Sequence, residues 1–239
     1  MRVFLAGATG AVGRRLVPLL VGAGHEITGT TRSVAKAEQL RASGITPAVL
    51  DVLDADALGH AVASAGPDVI IHQLTDLPKV PDPALIATAL ERNARLRIEG
   101  TRNLVDAACS AGVRRFIAQS IAFAYAPGSE PHQEADPLDV AGPPAVTVHG
   151  VLQLEQLVTG TAGIDGLVLR YGFLYGQGTW RSAPAPRTPL HVDAAAWAAQ
   201  LAVTRGTPGI YNVAEDDGSV AIERARRELG WYPEFRILS

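Results

Sequence analysis

The chain has 239 residues, 47% of them hydrophobic and 19% charged, with a formal net charge of −3 and a single cysteine. That is the composition of a folded globular chain, and at this size folding buries about 70–75% of the unfolded surface, so stability needs neither a disulfide nor a metal. Cys109 alone makes no internal disulfide, no Cys/His cluster has zinc spacing, the near-neutral charge leaves no nucleic-acid footprint, and no apolar run reaches the roughly 20 residues of a membrane helix, which together predict a cytoplasmic protein that binds neither nucleic acid nor membrane.

Short apolar runs alternate with helical patterns from the first residues. Val3–Ala6, Glu26–Thr31, Thr46–Leu50 and Val69–Leu74 read as buried strands, and Ala11–Ala23, Val34–Ala42 and Ala55–Ala65 carry apolar residues at helical spacing. Pro81 and Pro83 precede a long helix predicted over Ala84–Ala111 and closed by Gly112. Val113–Gln119 reads as a strand, Val146–Thr161 as a helix and Leu167–Tyr171 as a strand. A loop follows from Phe173 to Pro189, then a helix capped by Asp193 and running through Val203, a strand at Ile210–Val213 and a helix at Ala221–Leu229. Strand and helix in steady alternation predict an α/β fold: a Rossmann-type, doubly wound parallel sheet with helices on both faces. No repeat or linker splits the chain, so residues 1–239 read as one domain, with about 173–239 contributing a small substrate lobe.

Between the first strand and first helix lies Gly7-Ala8-Thr9-Gly10-Ala11-Val12-Gly13. A pyrophosphate needs close backbone approach and the positive end of a helix, which is why glycines recur at this spacing. The strand–turn–helix context is what the motif requires to count as a dinucleotide site. The second strand ends Thr31-Arg32-Ser33 with no acidic residue between Ile27 and Ser33. A carboxylate there would hold ribose hydroxyls, whereas an Arg accommodates a 2′-phosphate, so Thr31, Arg32 and Ser33 point to NADP over NAD. Asp51 and Val52 after the third strand are candidates for the adenine, and Gln73, Leu74 and Thr75 at the end of the fourth are further expected cofactor contacts.

The glycine pattern, Asp51-Val52-Leu53-Asp54, Glu99-Gly100-Thr101-Arg102-Asn103-Leu104, Leu169 to Gly176, His191-Val192-Asp193 and Ala225 to Trp231 together resemble the extended short-chain dehydrogenase/reductases, the NAD(P)-dependent epimerase/dehydratase family. The resemblance runs from residue 1 to about 235 and implies cofactor contacts from Tyr171, Gly172 and Phe173 beside the nicotinamide, and hydride chemistry with a Tyr-x-x-x-Lys pair and a Ser or Thr at the end of the fifth strand. This chain departs from that scheme. Only two of its 21 basic residues are lysines, and four residues before Lys36 and Lys79 stand Arg32 and Thr75, so the pair exists nowhere. Alignment of Leu152–Leu157 puts Thr147 at the tyrosine position and Val151 at the lysine position. Arg97 stands where the family commonly has an Asn, with Asn93 one turn earlier on the same face.

The remaining catalytic candidates are His149, of a residue type that titrates near neutral pH, Tyr125 in the loop after the fifth strand, and Ser120, one position short of the family's serine. Only ten residues separate Trp180 from His191, a reduced segment with little protein for a bulky nucleotide-sugar. The sequence thus predicts an atypical NADP-dependent oxidoreductase acting on a small or aromatic carbonyl substrate, the alternatives being a dinucleotide-binding sensor or a non-redox cyclase or dehydratase. The resemblance further implies a possible homodimer through the 84–111 helix.

Overall fold

The computed structural model describes residues 1–78, 80–142 and 145–237; Lys79 lies outside them. Seven strands form one fully parallel sheet: β1 (Arg2–Ala6), β2 (Glu26–Thr31), β3 (Thr46–Val49), β4 (Val69–His72), β5 (Arg115–Ile121), β6 (Asp165–Tyr171) and β9 (Gly209–Val213), in the order β3-β2-β1-β4-β5-β6-β9. The short strands β7 (Phe173–Tyr175) and β8 (Pro189–His191) pair separately. β1 pairs with β2 on one side and β4 on the other. The strand order therefore reverses beside β1, and a crevice opens at its carboxyl end, where open α/β sheets take their ligands.

Helices cover both faces. The cluster beneath α1 (Ala11–Gly22) and α7 (Val192–Leu201) contains Val3, Leu5, Leu16, Leu20, Ile71, Leu169, Tyr171 and Trp231. The opposite face packs Phe4, Ala6, Ile70, Phe116 and Val168 against Leu58 of α3 (Ala55–Ala65), Leu104 of α5 (Thr101–Ser110) and Leu154 of α6 (Ala145–Gly160). Burial on both faces explains why the central strands read as continuous apolar runs. The remaining helices are α2 (Val34–Ala42) and α4 (Pro83–Arg95).

Three expectations are corrected. The long helix predicted over Ala84–Ala111 is interrupted: a π-helical turn at Leu96–Gly100 joins α4 to α5. The wider turn rotates the register, so Asn93 before it, Arg97 within it and Thr101 and Leu104 after it are all buried. The cap of α7 is His191, whose imidazole accepts from the Asp193 N–H, while Asp193 sits in the first turn and is held by Arg15. The helix expected at Ala221–Leu229 contains a π-helical turn at Ala225–Leu229. Gly112 (φ +71°) ends α5 as expected, and the loop from Phe173 contains the unforeseen strand β7.

Candidate functional site

The turn from Gly7 to Gly13 follows β1 and opens α1. Gly7 has φ +97°, and a Cβ there would lie 2.7 Å from the Gln73 carbonyl oxygen. A Cβ on Gly13 would lie 2.1 Å from the Gly7 oxygen, so the helix sits against the turn at a distance only glycine permits. The Gly10 N–H closes the turn on the Gly7 carbonyl at 3.0 Å, and the Gly7 N–H donates to Thr30 Oγ1 at 3.1 Å. No side chain caps α1, and its first turn carries no acidic residue. The first amides of the helix thus face the crevice with the positive end of the helix dipole behind them, a cradle for an anion such as a pyrophosphate.

Around this turn lie the other expected cofactor contacts. Arg32 is exposed at the end of β2 and reaches Asp76 at 3.3 Å. Arg92 reaches the same carboxylate at 3.2 Å. Thr31 Oγ1 accepts from the Ser33 N–H, and the Ser33 hydroxyl caps α2. Asp51 uses one carboxylate oxygen to accept from the Leu53 N–H at 3.0 Å. Val52 is buried, with its carbonyl accepting from Asn103 at 2.9 Å. Gln73 is buried; its amide donates to the Tyr171 hydroxyl at 3.3 Å, and its Oε1 has no partner. The Leu74 N–H donates to His72 Nδ1, and Thr75 is exposed. The Tyr171 hydroxyl donates to the Ala195 carbonyl, and burial pushes its phenol pKa up.

Two of the catalytic candidates, Ser120 and Tyr125, join one buried network, and His149 stands apart from it. Ser120 is fully buried on β5 and donates to Glu155 Oε1 at 2.7 Å. Glu155 accepts from Arg170 Nε at 2.8 Å and from Arg170 NH2 at 2.6 Å. Arg170 NH1 donates to the Tyr125 hydroxyl at 2.8 Å, and that hydroxyl donates to Asn212 at 2.6 Å. Tyr125 is also stacked on His132 with its phenol raised by burial, against the pull of Arg170. Ser120 and Tyr125 are thus two members of one internal chain of polar groups joining β5, α6, β6 and β9, and both are taken up by it. His149 is exposed on α6, off the line of Thr147, Val151 and Glu155, which stand four residues apart and are all buried. Sequence reading missed Glu155 and Arg170 as partners, although a charge inside the apolar run Leu167–Tyr171 was the available signal.

The mouth of the crevice is shaped by the segment after β7. Trp180 Nε1 donates to the Pro78 carbonyl at 2.7 Å, bridging to the loop after β4. Arg15 holds Gln177 at 3.2 Å, and Gly178 lies against Arg14. Phe173 stacks on Phe123 with centroids 3.8 Å apart. A separate hollow of about 410 Å³, lined by Gln133, Glu134, Ala135, Ile210 and Arg224, contains none of these residues. The glycine cradle, the uncapped helix and the orphaned Gln73 Oε1 fit a dinucleotide lying from Gly10 across the carboxyl ends of β4 and β5.

Residues 7–175 match the family model described as NAD(P)H-binding. The chain is 39% identical to a 3-diazoavenalumate denitrifying reductase from a Streptomyces species, an alignment covering 98% of this chain and 80% of that protein. It is 29% identical to a Stigmatella aurantiaca 4-hydroxy-2-methyl-3-oxo-4-farnesyl-3,4-dihydroquinoline-1-oxide ketoreductase, over 74% of this chain and 51% of that one. Among solved structures, UDP-glucose 4-epimerase from Thermotoga maritima superposes with a TM-score of 0.80 at 17% identity, covering 99% of this chain and 94% of that one. Bordetella bronchiseptica WbmG in complex with NAD superposes with a TM-score of 0.76 at 21% identity, covering 99% and 90%.

Proposed function

The chain belongs to the NAD(P)H-binding family, with relatives among the short-chain dehydrogenase/reductases and epimerases, and from that premise we propose that it is an NADPH-dependent reductase whose substrate accepts hydride without a proton from the protein. The Streptomyces relative's name describes reductive loss of nitrogen from a diazo carboxylate, and we assign this chain the same class: replacement of a diazonium-type group by hydrogen.

The observation that carries the reading is the missing proton donor. No Tyr-x-x-x-Lys occurs in the sequence, Ser120 and the Tyr125 phenol are both bonded inside the fold, and His149 lies in solvent. A carbonyl reduction needs a proton at oxygen as hydride arrives at carbon, and a positioned acid normally supplies it. Loss of a diazonium group has no such need: the new C–H bond uses the hydride pair, the C–N pair departs on dinitrogen, and no proton is consumed. When bound, the reduced nicotinamide supplies that hydride. The chain's own task is then to position and to exclude water. The Gly7–Gly13 turn holds the pyrophosphate, Gln73 and Tyr171 border the nicotinamide end, and the Phe123–Phe173 pair flanks the substrate.

NADP is preferred in this reading because Arg32 stands where a carboxylate would select NAD. The short segment from Phe173 to His191 forms a small lobe suited to a small substrate. The experiment is reduction of an aryl diazonium carboxylate with 4-deuterated NADPH, followed by mass spectrometry and dinitrogen release. Deuterium at the carbon that carried nitrogen, with one dinitrogen per NADPH oxidised, is the expected result. Deuterium incorporation from D2O instead, or faster turnover of the matching ketone or aldehyde, overturns it.

A further inference from the structure

Among the described residues five acidic, basic or histidine side chains are buried: His72, Arg97, Glu155, Arg170 and Asp193. Asp193 is matched by Arg15 at 2.5 Å. Of the other four, His72 is held neutral, its pKa lowered to about 3 by burial and by the nearby Arg97 charge. Glu155 is the one buried carboxylate there, and it is already bonded through both oxygens to Arg170. Two guanidiniums thus share a single carboxylate. The excess cation is Arg97: its NH1 has no hydrogen-bond partner, and burial lowers its pKa to about 10, with Glu155 only partly offsetting this. A buried, uncompensated charge with an orphaned donor is costly and is retained where a ligand completes it.

The position is specific. Arg97 lies on the π-helical turn between α4 and α5, and such turns are frequently found at functional sites. Just before it, α4 and α6 are in contact: a Cβ on Gly150 would lie 3.0 Å from the Ala94 Cα. Arg97 is one turn beyond Ala94; its charge acts on His72 at the end of β4, and it feels in turn the charge of Glu155 on α6. Thr147, two turns above Glu155 on the same face of α6, carries a second buried orphan, Oγ1. Both orphaned groups are donors.

We infer that Arg97, with the Thr147 hydroxyl, is the recognition site for an anionic oxygen group of the substrate, a carboxylate, held beside the nicotinamide end of the crevice. This rests on the reductase reading above and assigns the residues that would hold the carboxylate of its substrate. A planar guanidinium edge is suited to a carboxylate. The cofactor's own anionic groups are accounted for at the Gly7–Gly13 turn and at Arg32, so the charge at Arg97 is left for the substrate.

The test uses the full chain loaded with NADP+, and benzoate and cinnamate against their methyl esters, followed by calorimetry. The acids are expected to bind at least about tenfold more tightly than the esters, with the preference abolished in Arg97→Met and partly kept in Arg97→Lys. In the ligand-free protein Arg97→Met is expected to raise Tm by a few degrees, because it removes an unpaired buried charge; an Arg97 that merely braces the fold would give a fall. Equal affinity for acid and ester, no binding of either acid, an acid preference that survives Arg97→Met, or a lowered Tm overturns the inference. None of the probes carries a diazo group, so these results are independent of whether hydride transfer occurs. Conversely, diazonium reduction indifferent to the carboxylate would remove this inference and leave the reductase reading standing.

Discussion

Arg170 on β6 and Glu155 on α6 meet edge to edge, Nε on Oε1 at 2.8 Å and NH2 on Oε2 at 2.6 Å, with both side chains 5% exposed or less. The bidentate contact pins helix to sheet, and through Ser120, Tyr125 and Asn212 it ties β5 and β9 to the same point. It also holds the Arg170 pKa above its ordinary value, through the Glu155 bonds and charge acting against burial. Glu155→Gln keeps the shape and removes the charge, leaving Arg170 unmatched and taking away the charge that partly offsets Arg97. The expected loss is about 3–5 kcal/mol in urea unfolding. A change below about 1 kcal/mol would show that the pair is not a structural centre.

Much of this architecture is legible in the sequence, because strands buried on both faces must be apolar along their whole length. Val3–Ala6 and Val69–Ile71 could be nothing else, and a glycine turn at the end of β1 leaves one place for a dinucleotide. The π-helical turn at Leu96–Gly100 was not legible: helical spacing on either side of it is intact, and the inserted register shift shows only once α6 packs against Ala94. The surroundings of the catalytic candidates are hidden for a related reason. Sequence order places Ser120, Tyr125 and His149 near the right strand end, but the alternation of faces along β5 turns Ser120 toward Glu155, and the helical period of α6 turns His149 to water.

The proposed preference for NADP rests on Arg32. Its guanidinium is exposed and shares Asp76 with Arg92, so a 2′-phosphate must compete with that carboxylate. Arg32→Ala is expected to weaken NADPH about tenfold, roughly 1.4 kcal/mol, with NADH little changed. Asp76→Asn is expected to act in the opposite direction by freeing both arginines. Calorimetry with the two cofactors checks this, and equal NADPH affinity in Arg32→Ala and the unaltered protein would refute the NADP assignment.

His72 is expected to contribute most to acid sensitivity between about pH 6.5 and 4.5. Its Nδ1 accepts from the Leu74 N–H, so Nε2 carries the proton and donates to Thr101 Oγ1 at 3.1 Å, and the ring has no room for a second proton. In the folded chain it stays neutral down to about pH 3, whereas the unfolded chain takes up a proton near its ordinary 6.5. The unfolded state therefore binds more protons in that interval. Stability is full above about pH 6.5 and falls as pH drops toward 3, by up to about 1.4 kcal/mol per pH unit. His72→Asn should flatten the pH 6.5 to 4.5 part of the curve, where carboxylates contribute least. An unchanged slope would place the sensitivity elsewhere.

Two glycines in helices give opposite signs. Gly59 lies in the middle of α3, and a Cβ there meets nothing within 4 Å. Gly59→Ala removes backbone freedom from the unfolded chain at no steric cost and is expected to stabilise by about 0.5–1 kcal/mol. Gly13 lies in the first turn of α1, and its Cβ would stand 2.1 Å from the Gly7 oxygen and 2.8 Å from the Ala8 carbonyl carbon. Those neighbours are backbone and cannot swing aside, so Gly13→Ala must push α1 off the turn. That separates the helix amides from the glycine cradle, and the expected result is loss of measurable NADPH binding along with lowered Tm. If Gly13→Ala bound NADPH normally, the close helix approach would not be what forms the pyrophosphate site.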